Sequence, residues 1–228
     1  MSRNGNHDEA AQLYRQALEL YRQSLGDEHP EIAVVINNLA ITTKRQGNLE
    51  GAEELFRETL ALQRRLLGDD SSTVGQTLYN LGSLLVDRGS HAEAETLLRE
   101  AVTIVEALYG SGDYASVLTV GGLAGALLAK GDPEAAENLL RERMASWRQK
   151  LEGSWFLAAG ESFLGESLLA QGRYSEAEPF LEAGYAGLRD QRGEAFPRTR
   201  EALARLVELY ERWGKDDLAR RYRSLQKS

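Results

Sequence analysis

Six glycines set the terms on which this chain can fold. Gly5, Gly47, Gly89, Gly131, Gly172 and Gly214 follow one another at intervals of 42, 42, 42, 41 and 42 residues. Five residues after each stands an alanine: Ala10, Ala52, Ala94, Ala136, Ala177 and Ala219. Eight residues before the last five stands a leucine: Leu39, Leu81, Leu123, Leu164 and Leu206. A second set, Gly26, Gly68, Gly110, Gly153 and Gly193, falls near the middle of each period. A period of this length marks a stacked-repeat architecture, in which one supersecondary unit cannot bury its apolar face alone and leans on its neighbours.

Each period holds two helical patterns. Ala52, Leu55, Phe56, Leu60 and Leu67 form one stripe, and Ile32, Val35, Ile36, Leu39 and Ala40 another, both at helix spacing. The spacing predicts A-type helices near 30–46, 72–88, 114–130, 155–171 and 197–213. B-type helices are predicted near 8–25, 50–67, 92–109, 133–151, 175–191 and 216–226. Pro30, Pro133 and Pro197 suit a first helical turn, where the missing N–H costs little. Ser90–Glu93 and Ser175–Glu178 read as capping boxes, and Pro179 falls about one turn into its helix. Strand alternation is absent, so the expectation is an all-α solenoid of eleven helices. It reads as a single domain over 1–228, with units at 6–29 (partial), 30–71, 72–113, 114–154, 155–196 and 197–228. In this reading six glycines end A-type helices and five follow B-type helices.

Composition removes whole classes of function. With no Cys and only His7, His29 and His91, neither a thiolate site nor a histidine pair at i, i+4 is available, so no metal and no cofactor are expected. The net charge of −8 argues against nucleic acid, whose recognition needs a basic face. The longest uncharged stretch, Ala115 to Ala129, is about 15 residues and falls short of a bilayer span of about 20. No signal peptide is visible in MSRNGNH, so no membrane association and a cytoplasmic location are expected. Glu53-Glu54 and Asp69-Asp70 read as helix-surface and turn charges, and the serines lack a nucleophile elbow. The chain does not read as an enzyme.

The stretch LGDEHPEIAVVINNLAITTKRQGNLEGAEELFRETLALQRRLLG, residues 25 to 68, resembles the tetratricopeptide repeat of the 42-residue kinesin light chain type. The resemblance covers essentially the whole chain. It implies a right-handed superhelical α-solenoid of about five helix-turn-helix repeats whose A-type helices line a concave, peptide-binding groove. The closing stretch from Leu168 to Leu225 also resembles the repeat segment of bacterial serine/threonine kinases, which implies a regulatory or substrate-docking role as one alternative. The chain carries no kinase signature of its own.

Transferred by phase, the groove residues are Asn37, Asn38, Ile41 and Arg45; Tyr79, Asn80 and Ser83; Gly121, Gly122 and Gly125; Phe163 and Glu166; and Arg205 and Glu208. Asn offers donors and an acceptor to the backbone of an extended peptide. Phe163 reads as core or as an aromatic anchor. The three glycines of 121–125 should each cost a helix about 1 kcal/mol relative to Ala, and read as a bare groove floor or as close packing. Glu161, Glu166 and Glu208 give the later groove an acidic tendency, offset by Arg205 and Arg212, so a basic or mixed-charge peptide is expected over an acidic one. The partner class is a protein or peptide segment. A homo-oligomer through the N-terminal helix, whose Leu13 and Leu20 lack an A-type partner, is a further alternative. Arg220, Arg221, Arg223 and Lys227 read as a solubilising C-terminal cap.

Overall fold

A computed structural model describes residues 3–226, and among them there are eleven α-helices and no strand. They are α1 (Arg3–Leu25), α2 (Pro30–Arg45), α3 (Leu49–Leu67), α4 (Ser72–Asp87), α5 (His91–Tyr109), α6 (Tyr114–Lys130), α7 (Pro133–Lys150), α8 (Trp155–Ala170), α9 (Tyr174–Arg192), α10 (Pro197–Trp213) and α11 (Asp216–Leu225). The even-numbered helices are the A-type and the odd-numbered the B-type. Two compact units divide the chain between Ile104 and Val105, inside α5. In the first, α2 packs on both α1 and α3, and α3 on α4. In the second, neighbours pack in series from α6 to α11, and α8 also touches α6 and α10.

Helix ends follow local chemistry. Asn48, Ser71, Asp113, Asp132 and Ser154 each accept a backbone N–H of the first turn, and the Nδ1 of His29 does the same for Glu31. Pro30, Pro133 and Pro197 each open their helix. Ten of the eleven punctuating glycines have positive φ, as at Gly131 (φ 90°), the left-handed cap of α6. Gly5 departs from the expectation, because it lies within α1, which begins at Arg3 rather than near residue 8. Both proposed capping boxes are corrected. Helix α9 begins at Tyr174 with Arg173 at its N-cap, which puts Ser175 inside the helix. At α5 the Ser90 N–H donates to the Leu85 carbonyl, and Glu93 turns instead to Arg57.

The core is the repeat itself. Leu39, Leu81, Leu123, Leu164 and Leu206 are at most 4% exposed. Each such leucine contributes about 1.5–3 kcal/mol on burial. Ala52, Ala94, Ala136, Ala177 and Ala219 are equally closed, and they let helix backbones approach. The residue after the repeated leucine is small in four of five repeats: Ala40, Gly82, Ala124 and Gly165. A Cβ at Gly82 would lie 2.6 Å from the Leu98 side chain, and one at Gly165 would lie 2.6 Å from that of Leu181. By contrast Leu13 and Leu20 of α1 are 58% and 63% exposed, although Leu62, at the phase of Leu20, is 5% exposed.

Gly165→Ala decides between helix propensity and packing. Alanine gains about 0.5–1 kcal/mol in a helix interior, but overpacking a closed site costs about 1–3 kcal/mol. The backbone nitrogen of Leu181, at 3.1 Å from the added carbon, cannot swing aside as a side-chain tip would. Thermal unfolding should therefore show a lower Tm for the variant, and an unchanged or higher Tm would refute the close contact.

Candidate functional site

The residues expected to face a ligand lie on the A-type helices at fixed offsets from the repeated leucine, and their burial follows that offset. One residue before the leucine, Asn38, Asn80, Gly122 and Arg205 are half-buried, whereas Phe163 is buried. Two residues after it, Ile41, Ser83, Gly125 and Glu166 are half-buried and Glu208 is exposed. Six after it, Arg45, Asp87, Ala129, Ala170 and Arg212 are all exposed. This gradient is what one side of a helix shows when its leucine points into the core and its far edge into solvent.

In the first unit the face belongs to α2 and α4. Asn37, Asn38, Tyr79 and Asn80 are half-buried on it. The Asn37 Oδ1 is buried with no hydrogen-bond partner among the described residues, and Asn80 Oδ1 accepts from Gln76 Nε2 at 3.2 Å. Lys44 and Asp87 join the two helices by an ion pair at 2.8 Å.

In the second unit the face belongs to α6, α8 and α10, and the glycine cluster resolves into two behaviours. A Cβ on Gly121 would fall 2.1 Å from the Phe163 ring, so this glycine is the seat on which Phe163 packs. A Cβ on Gly125 would meet nothing within 4 Å, so that position is open floor. Phe163 is 7% exposed and is a core residue rather than a free anchor. Arg198 and Arg205 sit over its ring at 5.6 and 5.5 Å. Arg205 also donates to Ser162 Oγ at 3.0 Å and pairs with Glu166 at 2.7 Å.

The offset that Arg205 and Arg212 give to the acidic side chains of this face takes the form of specific ion pairs. Glu166 is taken by Arg205, and Glu208 by Arg212 at 3.1 Å. Glu161 has Arg148 at 3.8 Å, yet burial pushes its carboxyl up and that charge only partly opposes it. Little acidic charge is left unmatched.

A second set of glutamates escaped the sequence reading. Glu53, Glu95, Glu137 and Glu178 each stand six residues after a period-marking glycine. Glu53, expected as a surface charge, is 8% exposed and pairs with Arg57 and with Arg88. Glu137 accepts from Arg141 Nε at 2.6 Å, Arg173 Nη1 at 2.6 Å and Gln171 Nε2 at 2.7 Å. Glu178 pairs with Lys215 at 3.1 Å. Arg88, Arg173 and Lys215 each flank the glycine of the next period, so these pairs tie one repeat to the following one. The signal was in the sequence as a glutamate and a flanking cation at the 42-residue period.

No metal-binding group of three or more His, Cys, Asp or Glu residues occurs among the described residues. No described helix is long and apolar enough to cross a membrane.

Two outcomes test this geometry. Burial raises the Glu137 carboxyl, but the bonds from Gln171 and Arg141 and the charge of Arg173 outweigh it and hold it below the usual range. A depressed folded value means that the stabilisation is fully present above the unfolded value of about 4.3 and is lost as pH falls through the lower folded value. Between neutral pH and the acid limb, wild type should lose Tm more steeply than Glu137→Gln; parallel curves would refute the coupling. On the A-helix face, Gly121→Ala should destabilise by about 1–3 kcal/mol through the Phe163 ring. Gly125→Ala should stabilise by about 0.5–1 kcal/mol, because its added methyl meets nothing. Denaturant midpoints compare the two.

Similarity to known proteins agrees with this architecture. The sequence profile described as tetratricopeptide repeat matches residues 1–65, 36–106 and 73–149, and a second profile of the same description matches 158–183. No curated protein is a significant match. Among solved structures, the chain is similar to a Podosopora anserina protein described as a kinesin light chain with nearly identical TPR-like repeats. Identity is 26%, with a TM-score of 0.72 over 83% of this chain and 90% of that one. A single-residue variant of that protein gives 25% and 0.74 over the same shares. BtubC of P. vanneervenii gives 21% and 0.72, over 83% of this chain and 76% of that one. A Rap protein complexed with competence and sporulation factor gives 15% and 0.69, over 99% of this chain and 66% of that one. With the period, the helix pairs and the matched residues in agreement, the chain belongs to the tetratricopeptide repeat family.

Proposed function

We propose that this chain is a non-catalytic protein-interaction scaffold, as tetratricopeptide repeat proteins generally are, and that it holds an extended peptide segment on the A-helix face through shape and hydrogen bonds. The observation that carries the reading is the phase-locked half-burial of that face. Of the ten positions one before and two after a repeated leucine, eight are half-buried, while Phe163 is buried and Glu208 exposed. A surface kept open at one phase of the period offers a repeated contact to a repeated ligand, and the backbone of an extended peptide is such a ligand.

The chemistry of the face refines the proposal. Asn37, Asn38 and Asn80 bring amide donors and acceptors suited to peptide N–H and C=O groups. In the second unit Arg205 is engaged with Glu166, Ser162 and Phe163, so its contribution is a fixed, flat surface rather than a free charge. The open floor at Gly125 suits a bulky side chain. Selection by shape and backbone hydrogen bonds therefore outweighs selection by charge.

A peptide-array screen of the wild-type chain against Asn38→Ala/Asn80→Ala tests the reading. Each lost hydrogen bond is worth about 0.5–1.5 kcal/mol, so the double variant should bind about 5- to 150-fold more weakly. Gly125→Leu should selectively remove peptides with a large side chain at one position. Binders unaffected by both changes would move the site off this face.

A further inference from the structure

Helix α8 carries a carboxylate where the other A-type helices carry core. Three residues before the repeated leucine stand Ile36, Leu78, Val120, Glu161 and Leu203. The four apolar ones are at most 4% exposed. In the first unit Ile36 belongs to one buried cluster with Leu18 of α1 and Leu62 of α3, the B-type helices on either side. Glu161 holds the same phase on α8, which packs on α7 and α9. At the phases of Leu18 and Leu62 stand Met144, which is 5% exposed, and Gly187.

Glu161 lacks what the nearly buried Glu137 has. Three donors fill the lone pairs of Glu137. The Glu161 side chain is 18% exposed, has Arg148 Nη2 at 3.8 Å, and accepts no hydrogen bond among the described residues. Arg148 is itself half exposed and lies over the Phe180 ring of α9 at 5.9 Å. Taking a carboxylate out of water without a hydrogen bond costs more than one solvated ion pair returns.

The other charges around α8 are spent elsewhere. Helix α6 has none between Ala115 and Ala129. On α9, Glu178 pairs with Lys215, Glu182 accepts from Tyr210 Oη, and Arg189 pairs with Asp190. On α10, Arg198 and Arg205 lie over the Phe163 ring. Among the described residues Arg148 alone acts on the Glu161 charge.

We propose that Glu161 is a proton-operated latch on α8. Charged, it is the loose point at which α8 opens locally from α7 and α9. Protonated, it packs as its apolar counterparts do, and α8 closes. Helix α8 also packs on α6 and α10, so the latch sets how firmly Phe163 and Glu166, further along the same helix, are held. It works without a ligand and is independent of the peptide-binding reading given above.

Burial pushes the Glu161 carboxyl up, and the Arg148 charge only partly opposes this. With a raised folded value, the cost of the charge is absent below the unfolded value of about 4.3 and fully present above the folded one. Acidification from neutral pH therefore tightens α8, the reverse of its effect at Glu137.

Hydrogen exchange of the full chain at about pH 7 and about pH 4, corrected for the intrinsic rate at each pH, tests the latch. At about pH 7 the α8 amides of Glu161→Gln and Glu161→Leu should be several-fold better protected than those of wild type. At about pH 4 the advantage of Glu161→Gln should disappear. Arg148→Gln should lower protection at about pH 7 in wild type but not in Glu161→Leu. Equal or lower protection in both Glu161 variants at neutral pH overturns the proposal, as does an advantage of Glu161→Gln that is the same at both pH values.

Discussion

Everything in this structure depends on helices that touch where there is almost no side chain. At two phases of the period, five residues after the marking glycine and one after the repeated leucine, the chain carries alanine or glycine in nearly every repeat. Those positions are closed, and a Cβ at Gly82 or Gly165 would collide with the leucine sixteen residues on. Dispersion falls away within a fraction of an ångström of gap. A bulkier residue at these phases would therefore separate the backbones and loosen the leucines packed beside them. The period is thus a packing rule before it is a sequence rule. The large residues can vary among Leu, Val, Phe and Trp so long as the small ones stay small.

Packing alone does not fix the register of one hairpin on the next, and the glutamates six residues after four of the marking glycines address that. A nearly buried carboxylate is costly unless its lone pairs are filled. At Glu137 three donors fill them, one from its own helix and two from the region of the next marking glycine. Sliding the neighbouring repeat by one residue would break those bonds while leaving the charge buried. The penalty for a wrong register is then larger than the gain for the right one, and that asymmetry makes such a group specific. The chain's net charge of −8 hides this, because several of its carboxylates are engaged in ties between repeats rather than in repelling one another.

Much of the architecture was legible because its signals are periodic and local. Glycine spacing, proline at the first helical position and the leucine stripe each act through backbone geometry within a few residues, and ten helices begin and end within about two residues of expectation. Most of what failed was decided by a partner far along the chain. Ser175 is a local exception: α9 begins at Tyr174, which puts that serine inside the helix rather than at its cap. Glu53 looked solvated because its second cation lies 35 residues away. Gly121 and Gly125 look alike in sequence and behave oppositely, since only one lies under the Phe163 ring. The acidic look of the later A-type helices dissolved for the same reason, because Arg205 and Arg212 were counted as an offset rather than as specific partners.

The two units therefore use one backbone phase in different ways. Asn38 and Asn80 spend little of their hydrogen-bonding capacity within the fold, whereas Arg205 at the same phase spends its donors on Ser162 and Glu166 and its flat face on Phe163. Groups already satisfied gain little from a ligand, because binding would only exchange one good partner for another. Under the peptide-binding reading, the asparagine face supplies contacts that are largely indifferent to ligand sequence, since they address the peptide backbone. The face of the second unit supplies rigid relief, with a raised Arg205–Phe163 plate and a low floor at Gly125, and rigid relief discriminates by side-chain volume. Under that reading, substitutions on α2 and α4 of the first unit should change how tightly ligands bind more than which ligands are chosen.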